Sequence, residues 1–131
     1  ATDVAAVDDS DGSWDTPSDR NLKEDFKDIP TGTLDKVMKL KAQSYYYKAD
    51  QEKSRRSIGF IAQDVKELFP DIINDEGKYL KMSYADFGVI AIKAIQEQQM
   101  MIEKLENEMA ALKNQNAILN DDSEVGRTSP K

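Results

Sequence analysis

The chain of 131 residues contains no cysteine and no histidine. Without these two residue types, disulfides, thiol nucleophiles, the usual zinc sites and every Ser-His or Cys-His catalytic arrangement are excluded. If this chain breaks covalent bonds, its catalytic base must therefore be a lysine or a carboxylate.

The chain also lacks any excess of basic over acidic side chains. Residues 1–17 contain five aspartates and no lysine or arginine, so they account for −5 of the net charge of −7. The remaining residues, with 18 basic and 20 acidic side chains, carry −2. We therefore expect no binding to nucleic acid or to an anionic membrane surface. The longest apolar run, "FGVIAI", is too short to span a bilayer, and no signal-peptide pattern opens the sequence.

Hydrophobic residues make up 39% of the chain and charged residues 33%. This mixture favours a small soluble domain with a long solvated helix over a compact enzyme. The fold class that we predict is α+β and mainly helical. The expected divisions are an acidic linker or the tail of a larger upstream protein over 1–17, a small α+β domain over 18–82, a long helix over 83–120 and a frayed tail over 121–131.

The acidic lead-in contains the run "DSDG", which is part of the pattern of a calcium-binding loop. With Gly12 at the glycine position of such a loop, the first and last ligands would be Val7 and Ser18. Neither side chain suits these positions, so we expect no metal site and no cofactor.

Local patterns predict two helices before residue 71. A helix is expected over 31–42, with Thr31 or Thr33 as its cap. A second helix is expected after a short strand at 58–60, with inward-facing side chains from Val65, Leu68 and Phe69.

Strand patterns fill the rest of the small domain. The run "SYYYK" at 44–48 is rich in strand formers, and we expect its tyrosines to serve in packing rather than as a sugar platform. Residues 71–82 predict a hairpin, with a turn at 75–77 between strands at 72–73 and 79–80.

A long helix is predicted from Ser83, which forms a capping pair with Asp86. The period of its apolar residues is close to 3.5 over four heptads, which favours a parallel coiled coil between copies over a helix folded back on its own domain. The seam chemistry alone does not fix the number of strands, because Ile with Leu also permits dimers, and Gln98 and Asn116 can specify the register in either state. The predicted seam consists of Ile95, Gln98, Ile102, Leu105, Met109, Leu112, Asn116 and Leu119.

The stretch "WDTPSDRNLKEDF" at 14–26 has two interpretations. Pro17, Ser18 and Asp19 can form a turn that starts a helix, or Ser18 can be a nucleophile with Lys23 as its base. Residues five apart are about 140° apart on a helix and point to opposite faces of a strand. The dyad therefore requires a bend between them, or a neighbouring subunit that supplies one of the two groups.

Serine–lysine chemistry is sound without histidine. A neutral lysine amine can take the proton of a serine hydroxyl, provided that burial lowers the pKa of the amine by several units from about 10.4. A subunit interface can supply that burial.

Four segments together resemble a known family. They are "PSDRNLKEDF", "LDKVMKLKAQSYYYK", "IGFIAQDVKELFPDII" and "YLKMSYADFGVIAIKAIQEQQMMIEKLE". In this order they resemble the endosialidase-type intramolecular chaperone domain of phage tail spikes and tail fibres, which also occurs in the myelin regulatory factor. The resemblance covers about residues 14 to 112.

The resemblance implies a trimer that helps its upstream β-rich stalk to wind and then cuts itself off. The family motif S-D-x-x-L-K corresponds here to residues 18–23, with Ser18 as nucleophile, Lys23 as general base and the severed bond between Pro17 and Ser18. Many relatives carry arginine where this chain has Asn21, a departure that leaves the dyad intact.

Several points remain open on this interpretation. Attack can come from the same chain or from a neighbouring subunit. The candidate oxyanion donor is Gln63 or a backbone N–H. Gln63 can instead make a structural hydrogen bond that holds the strand–helix junction. Asp19 is a further candidate supporting residue.

Two further functions compete with self-cleavage. One is a non-catalytic trimeric cap that stays attached, and the other is a tip that binds a host surface through the tyrosines at 45–47. We expect a virion tail or bacterial surface-fibre precursor that folds and cleaves in the bacterial cytoplasm, with its own stalk as partner and no transmembrane segment.

Overall fold

The computed structural model describes residues 6–7 and 14–127. In these ranges three two-stranded antiparallel sheets and two short helices precede one long helix, so the architecture is the predicted mixture of short strands and a long C-terminal helix. The elements are β1 (Ala6–Val7), β2 (Trp14–Asp15), α1 (Thr33–Val37), β3 (Gln43–Tyr45), β4 (Ser57–Gly59), α2 (Ala62–Leu68), β5 (Ile73–Asn74), β6 (Lys81–Met82) and α3 (Tyr84–Val125).

Helix α1 is much shorter than the predicted helix over 31–42. Its N-cap residue is Gly32, at φ +93°, so the expected threonine cap is wrong. The carboxylate of Glu97 on α3 takes the place of a local cap, because it accepts hydrogen bonds from the backbone N–H groups of Thr33 and Leu34. The helix ends in tight turns over residues 36–40, where N–H groups bond to the carbonyl three residues earlier.

Strands occur near both predicted places: the one around "SYYYK" is shorter, at Gln43–Tyr45, and the one predicted at 58–60 begins and ends one residue earlier, at Ser57–Gly59. Strands β3 and β4 pair antiparallel, with Ser44 opposite Ile58. Arg56 clamps this hairpin, because its guanidinium donates to the hydroxyl and the carbonyl of Ser44 at 3.0 and 2.9 Å.

Helix α2 and the following hairpin also agree with the sequence, with one shift of register. The 3₁₀ turn Pro70–Ile72 follows α2 and leads into β5. The second strand of the hairpin is β6 at Lys81–Met82, rather than the predicted 79–80. Ile73 pairs with Met82, and both side chains are half-buried. The loop between the strands is therefore longer than predicted, and Gly77 within it has φ +100°.

The core lies mainly where α1 packs against the first third of α3, and Val65 of α2 is buried as well. Within residues 16–127 the buried side chains are those of Thr33, Val65, Ile90 and Ala94. Leu68 and Phe69 are half-buried. This core is small for the length of chain that it serves, which limits the stability of a single copy.

Helix α3 begins at the predicted place and ends later than predicted. Ser83 is its N-cap residue but makes no side-chain capping bond, so only the position of the capping pair is right. The helix continues through Val125 across the first part of the tail that we expected to fray. Along the part of the chain that the structure describes, no helix has an apolar stretch long enough to cross a membrane.

Candidate active site

A single 3₁₀ turn brings Ser18 and Lys23 together. Asp19 caps the turn, since its Oδ1 accepts a hydrogen bond from the backbone N–H of Asn21 at 2.7 Å. The turn spans Arg20–Leu22 and ends at Lys23 in extended conformation. The Nζ atom of Lys23 then lies 2.6 Å from the Oγ atom of Ser18. The bend that the five-residue spacing requires is therefore present within one chain.

The two groups face water in the single chain. Ser18 and Lys23 are exposed, and the neighbouring apolar side chains of Leu22 and Phe26 are 66% and 61% exposed. The guanidinium of Arg20 lies over the ring of Phe26, 5.1 Å from its centroid. The Lys23 amine donates to the hydroxyl oxygen of Ser18. A neutral amine at this distance could instead accept the hydroxyl proton.

The bond before Ser18 is accessible to the same hydroxyl. Strand β2 ends at Asp15, and Thr16 and Pro17 follow as exposed chain without regular structure. The Pro17 carbonyl carbon and the Ser18 Oγ would close a five-membered ring, so attack needs only local rotation about single bonds.

Asp19 and Gln63, the two candidate supporting residues, lie in different surroundings. Asp19 is next to the dyad, where its side chain caps the turn. Gln63 lies in the first turn of α2 and lines a cavity of about 450 Å³ together with the rings of Tyr45, Tyr47 and Tyr84. Within residues 16–127, Gln63 makes no hydrogen bond to Ser18 or Lys23, so the structure does not bring it to the dyad.

Phenol hydroxyls cluster beside this cavity. The hydroxyl of Tyr45 lies 3.5 Å from that of Tyr47. The hydrogen bond to Tyr47 and desolvation raise the pKa of Tyr45 to about 12. A group with so high a pKa stays protonated near neutral pH, which suits packing and hydrogen bonding rather than proton transfer.

The predicted seam forms an exposed stripe along α3. Its six apolar side chains are 43% to 61% exposed in the single chain. Gln98 and Asn116 lie exposed at two positions of the same stripe. No other part of residues 16–127 covers this stripe.

Glu97 is a site residue that the sequence did not reveal. Its hydrogen-bond partners, Thr33 and Leu34, lie more than 60 residues earlier in the sequence, and no local pattern indicates such a contact. The backbone N–H groups of Leu34, Thr33 and Gly32, together with Lys93, hold the pKa of this carboxyl below its ordinary value.

In the described ranges, 6–7 and 14–127, no group of three or more acidic side chains is arranged so that it could bind a metal ion. The "DSDG" run lies outside the described residues.

Comparisons with known proteins identify a family for the segment that begins at Ser18. Residues 18–74 match the family model described as chaperone of endosialidase, peptidase S74, and the match begins at Ser18. The chain is 34% identical over 95 residues to the long tail fiber protein Gp37 of Enterobacteria phage M1, and equally to that of phage Ox2. These matches cover 67% of the chain but only 38% of each phage protein.

A eukaryotic relative is similar over a shorter range. The chain is 33% identical over 72 residues to myelin regulatory factor homolog 1 of Caenorhabditis elegans, which is 49% of the chain and 8% of that protein. Residues 18–74 match the family model, and the chain is similar to both the phage and the eukaryotic relatives; residues 18–74 therefore belong to the chaperone-of-endosialidase family, peptidase S74.

Proposed function

We propose that the chain is an intramolecular chaperone which trimerises a fibrous protein, assists its folding and releases itself by cutting the bond between Pro17 and Ser18. The observation that carries the proposal is the 2.6 Å approach of Lys23 Nζ to Ser18 Oγ at the first residue of the family match. A family described as both chaperone and peptidase supports the two halves of the function together.

The reaction is an acyl transfer followed by hydrolysis. A neutral Lys23 amine takes the hydroxyl proton of Ser18, and Oγ attacks the carbonyl carbon of Pro17. The bond from that carbon to the Ser18 nitrogen then breaks, and the amine of Lys23 returns the proton to this nitrogen. Water hydrolyses the resulting ester, which leaves a carboxylate on Pro17 and restores the Ser18 hydroxyl. A neighbouring subunit can supply the attacking hydroxyl instead.

Developing negative charge on the Pro17 oxygen requires a donor. In the single chain Gln63 lines the tyrosine cavity, and within residues 16–127 it makes no hydrogen bond to Ser18 or Lys23. A backbone N–H is therefore the better candidate for the donor.

Assembly would bury the two surfaces that a single chain leaves in water, the α3 seam and the Lys23 amine. We infer that three copies pair in parallel through the α3 seam, with Gln98 and Asn116 fixing the register. The exposed lysine amine would lose water at the subunit contacts, and loss of water favours its neutral form. On this proposal residues 1–17 are the end of the stalk, 18–82 form the chaperone domain, and the helix from residue 83 is the trimerisation element.

The partner is the upstream stalk of the same precursor. The phage relatives are named as long tail fiber proteins, which supports a fibrous, β-rich partner and a place in a virion tail. We propose folding and cleavage in the bacterial cytoplasm, before the fibre is mature.

Intact mass measurement on a precursor tests the proposal. The upstream stalk joined to the wild-type sequence should give two products, the second beginning at Ser18. Ser18→Ala and Lys23→Ala should each give a single full-length product, because one lacks the nucleophile and the other the base. Lys27→Ala is the matched control, since within residues 16–127 the exposed Lys27 amine pairs with Asp25 alone, and it should cleave like the wild type.

A non-catalytic cap is the second candidate, favoured by the exposure of both dyad groups in the single chain. A wild-type precursor that assembles as a trimer yet stays uncut would establish the cap and exclude the peptidase.

A further inference from the structure

The segment that carries the dyad, residues 16–30, is joined to the rest of the chain by few polar contacts. We call it the dyad segment. Its own hydrogen bonds and ion pair are local, as in the bonds of Asp19 to Asn21 and of Lys23 to Ser18. Within residues 16–127, one hydrogen bond ties this segment to the remaining fold, and it runs from the hydroxyl of Thr33 to the carbonyl of Pro30 at 3.0 Å.

Thr33 is unusual because it is the buried polar side chain of the described core. It is 3% exposed, which leaves its hydroxyl no access to water and makes the bond to Pro30 costly to lose. Its backbone N–H donates to Oε1 of Glu97 at 3.3 Å, and the N–H of Leu34 donates to Oε2 at 2.8 Å. A continuous path of hydrogen bonds thus runs from α3 through Thr33 to the dyad segment.

Glu97 occupies a particular place on α3. Ile90, Ala94 and Glu97 are four and three residues apart, so they share the face that packs on the domain. The seam residues Ile95 and Gln98 follow directly on an adjacent face, about 100° around the helix from Ala94 and Glu97. One turn of α3 therefore presents the first seam residues to other copies and holds the domain with Glu97.

We propose that Glu97 and Thr33 form a latch through which α3 positions the dyad segment, so that the helix that pairs with other copies also holds Ser18 and Lys23 where cleavage can occur. This latch rests on the proposed self-cleavage and states how assembly would regulate it. Pairing of α3 with other copies would act on the dyad through Glu97, Thr33 and Pro30. Both latch residues are positioning residues, because neither touches the reacting atoms.

Two substitutions at residue 33 separate positioning from simple stability. Thr33→Val keeps the volume but removes the hydroxyl that bonds to Pro30, whereas Thr33→Ser keeps the hydroxyl and loses a buried methyl group. Both variants are introduced into the stalk-joined precursor, and subunit number, cleavage rate and amide hydrogen exchange of residues 19–29 are measured.

We expect both variants to remain trimeric. Thr33→Val should slow cleavage by about tenfold or more, because a displacement of the reacting groups by about 1 Å can lower a rate by more than that. Thr33→Ser should cut nearly as fast as the wild type. Amide exchange in residues 19–29 should rise in Thr33→Val alone. Glu97→Ala should slow cleavage, and Glu97→Gln, which keeps an acceptor oxygen, should restore part of the rate.

Glu103→Ala is the control on α3, because Glu103 is exposed and its hydrogen bond within residues 16–127 is to Gln99 of the same helix. Equal cleavage rates for Thr33→Val and Thr33→Ser, or rates that follow only their thermal stability, would overturn the latch. If the wild-type precursor is not cut at all, the proposed function fails instead, and the amide exchange of the two variants still decides whether the latch holds the dyad segment.

Discussion

The hydroxyl of Tyr84, in the first turn of α3, accepts a hydrogen bond from the backbone N–H of Phe60 at 3.1 Å. The ring of Phe60 also stacks on that of Phe87, with centroids 4.9 Å apart. These contacts fix the end of the β3–β4 hairpin against α3. They require the backbone at Gly59 to approach closely, because a Cβ atom there would collide with the Tyr84 hydroxyl.

Gly59→Ala is expected to destabilise the protein by about 1–3 kcal/mol, the usual range for overpacking, because the Tyr84 hydroxyl must move and lose its bond to Phe60. The measurement is urea unfolding followed by circular dichroism. The same substitution in a Tyr84→Phe background should cost less, since the colliding atom is gone. Gly88→Ala is the control, because a Cβ there meets nothing within 4 Å. Equal costs of Gly59→Ala in the two backgrounds would show that the hydroxyl is not the obstacle.

Among the elements, the 3₁₀ turn over Arg20–Leu22 has the most direct relation to the proposed chemistry. It reverses the chain within five residues, so that the long lysine side chain reaches back to Ser18. Asp19 stabilises the turn from an exposed position, by one hydrogen bond to Asn21. The turn contributes little to global stability, but it determines the distance between nucleophile and base.

Asp19→Ala should therefore slow cleavage of the precursor by about tenfold or more while leaving its unfolding free energy within about 1 kcal/mol of the wild type. Asp19→Asn keeps an oxygen that can cap the turn, and it should cut nearly as fast as the wild type. The measurement is the rate of appearance of the released fragment by intact mass. A slow Asp19→Asn with an intact turn would mean that the carboxylate charge, rather than the cap, is what the reaction uses.

The elements also show what the sequence can predict. The strand formers around Tyr45, the turn residues before Gly77 and the heptads after Ser83 are local patterns, and each produced an element near its predicted place. Helix α1 is different, since its start is set by Glu97 from a distant helix, a contact that no local pattern encodes. The spacing of Ser18 and Lys23 required a bend but did not specify a 3₁₀ turn, and the location of Gln63 away from the dyad depended on tertiary packing.

On the scale of the whole molecule, α3 extends far beyond the domain that it supports. At 42 residues it is about 63 Å long, yet its buried side chains, Ile90 and Ala94, lie in its first third. Beyond them a regular apolar stripe remains in water. Because the core of one copy is small, association through this stripe would stabilise the domain as well as the helix.

Replacing Ile102 and Leu105 together with asparagine should abolish both the trimer and self-cleavage, since polar side chains at adjacent seam positions remove the apolar contact between helices and leave the lysine amine in water. Native mass spectrometry of the stalk-joined precursor measures subunit number, and intact mass measures the cut. Met100→Asn with Met101→Asn is the matched control, because both methionines are exposed on α3 and outside the seam, and this variant should assemble and cleave normally. Efficient cutting by a monomeric seam variant would show that the dyad works without assembly, and the exposed Ser18–Lys23 pair would then be sufficient by itself.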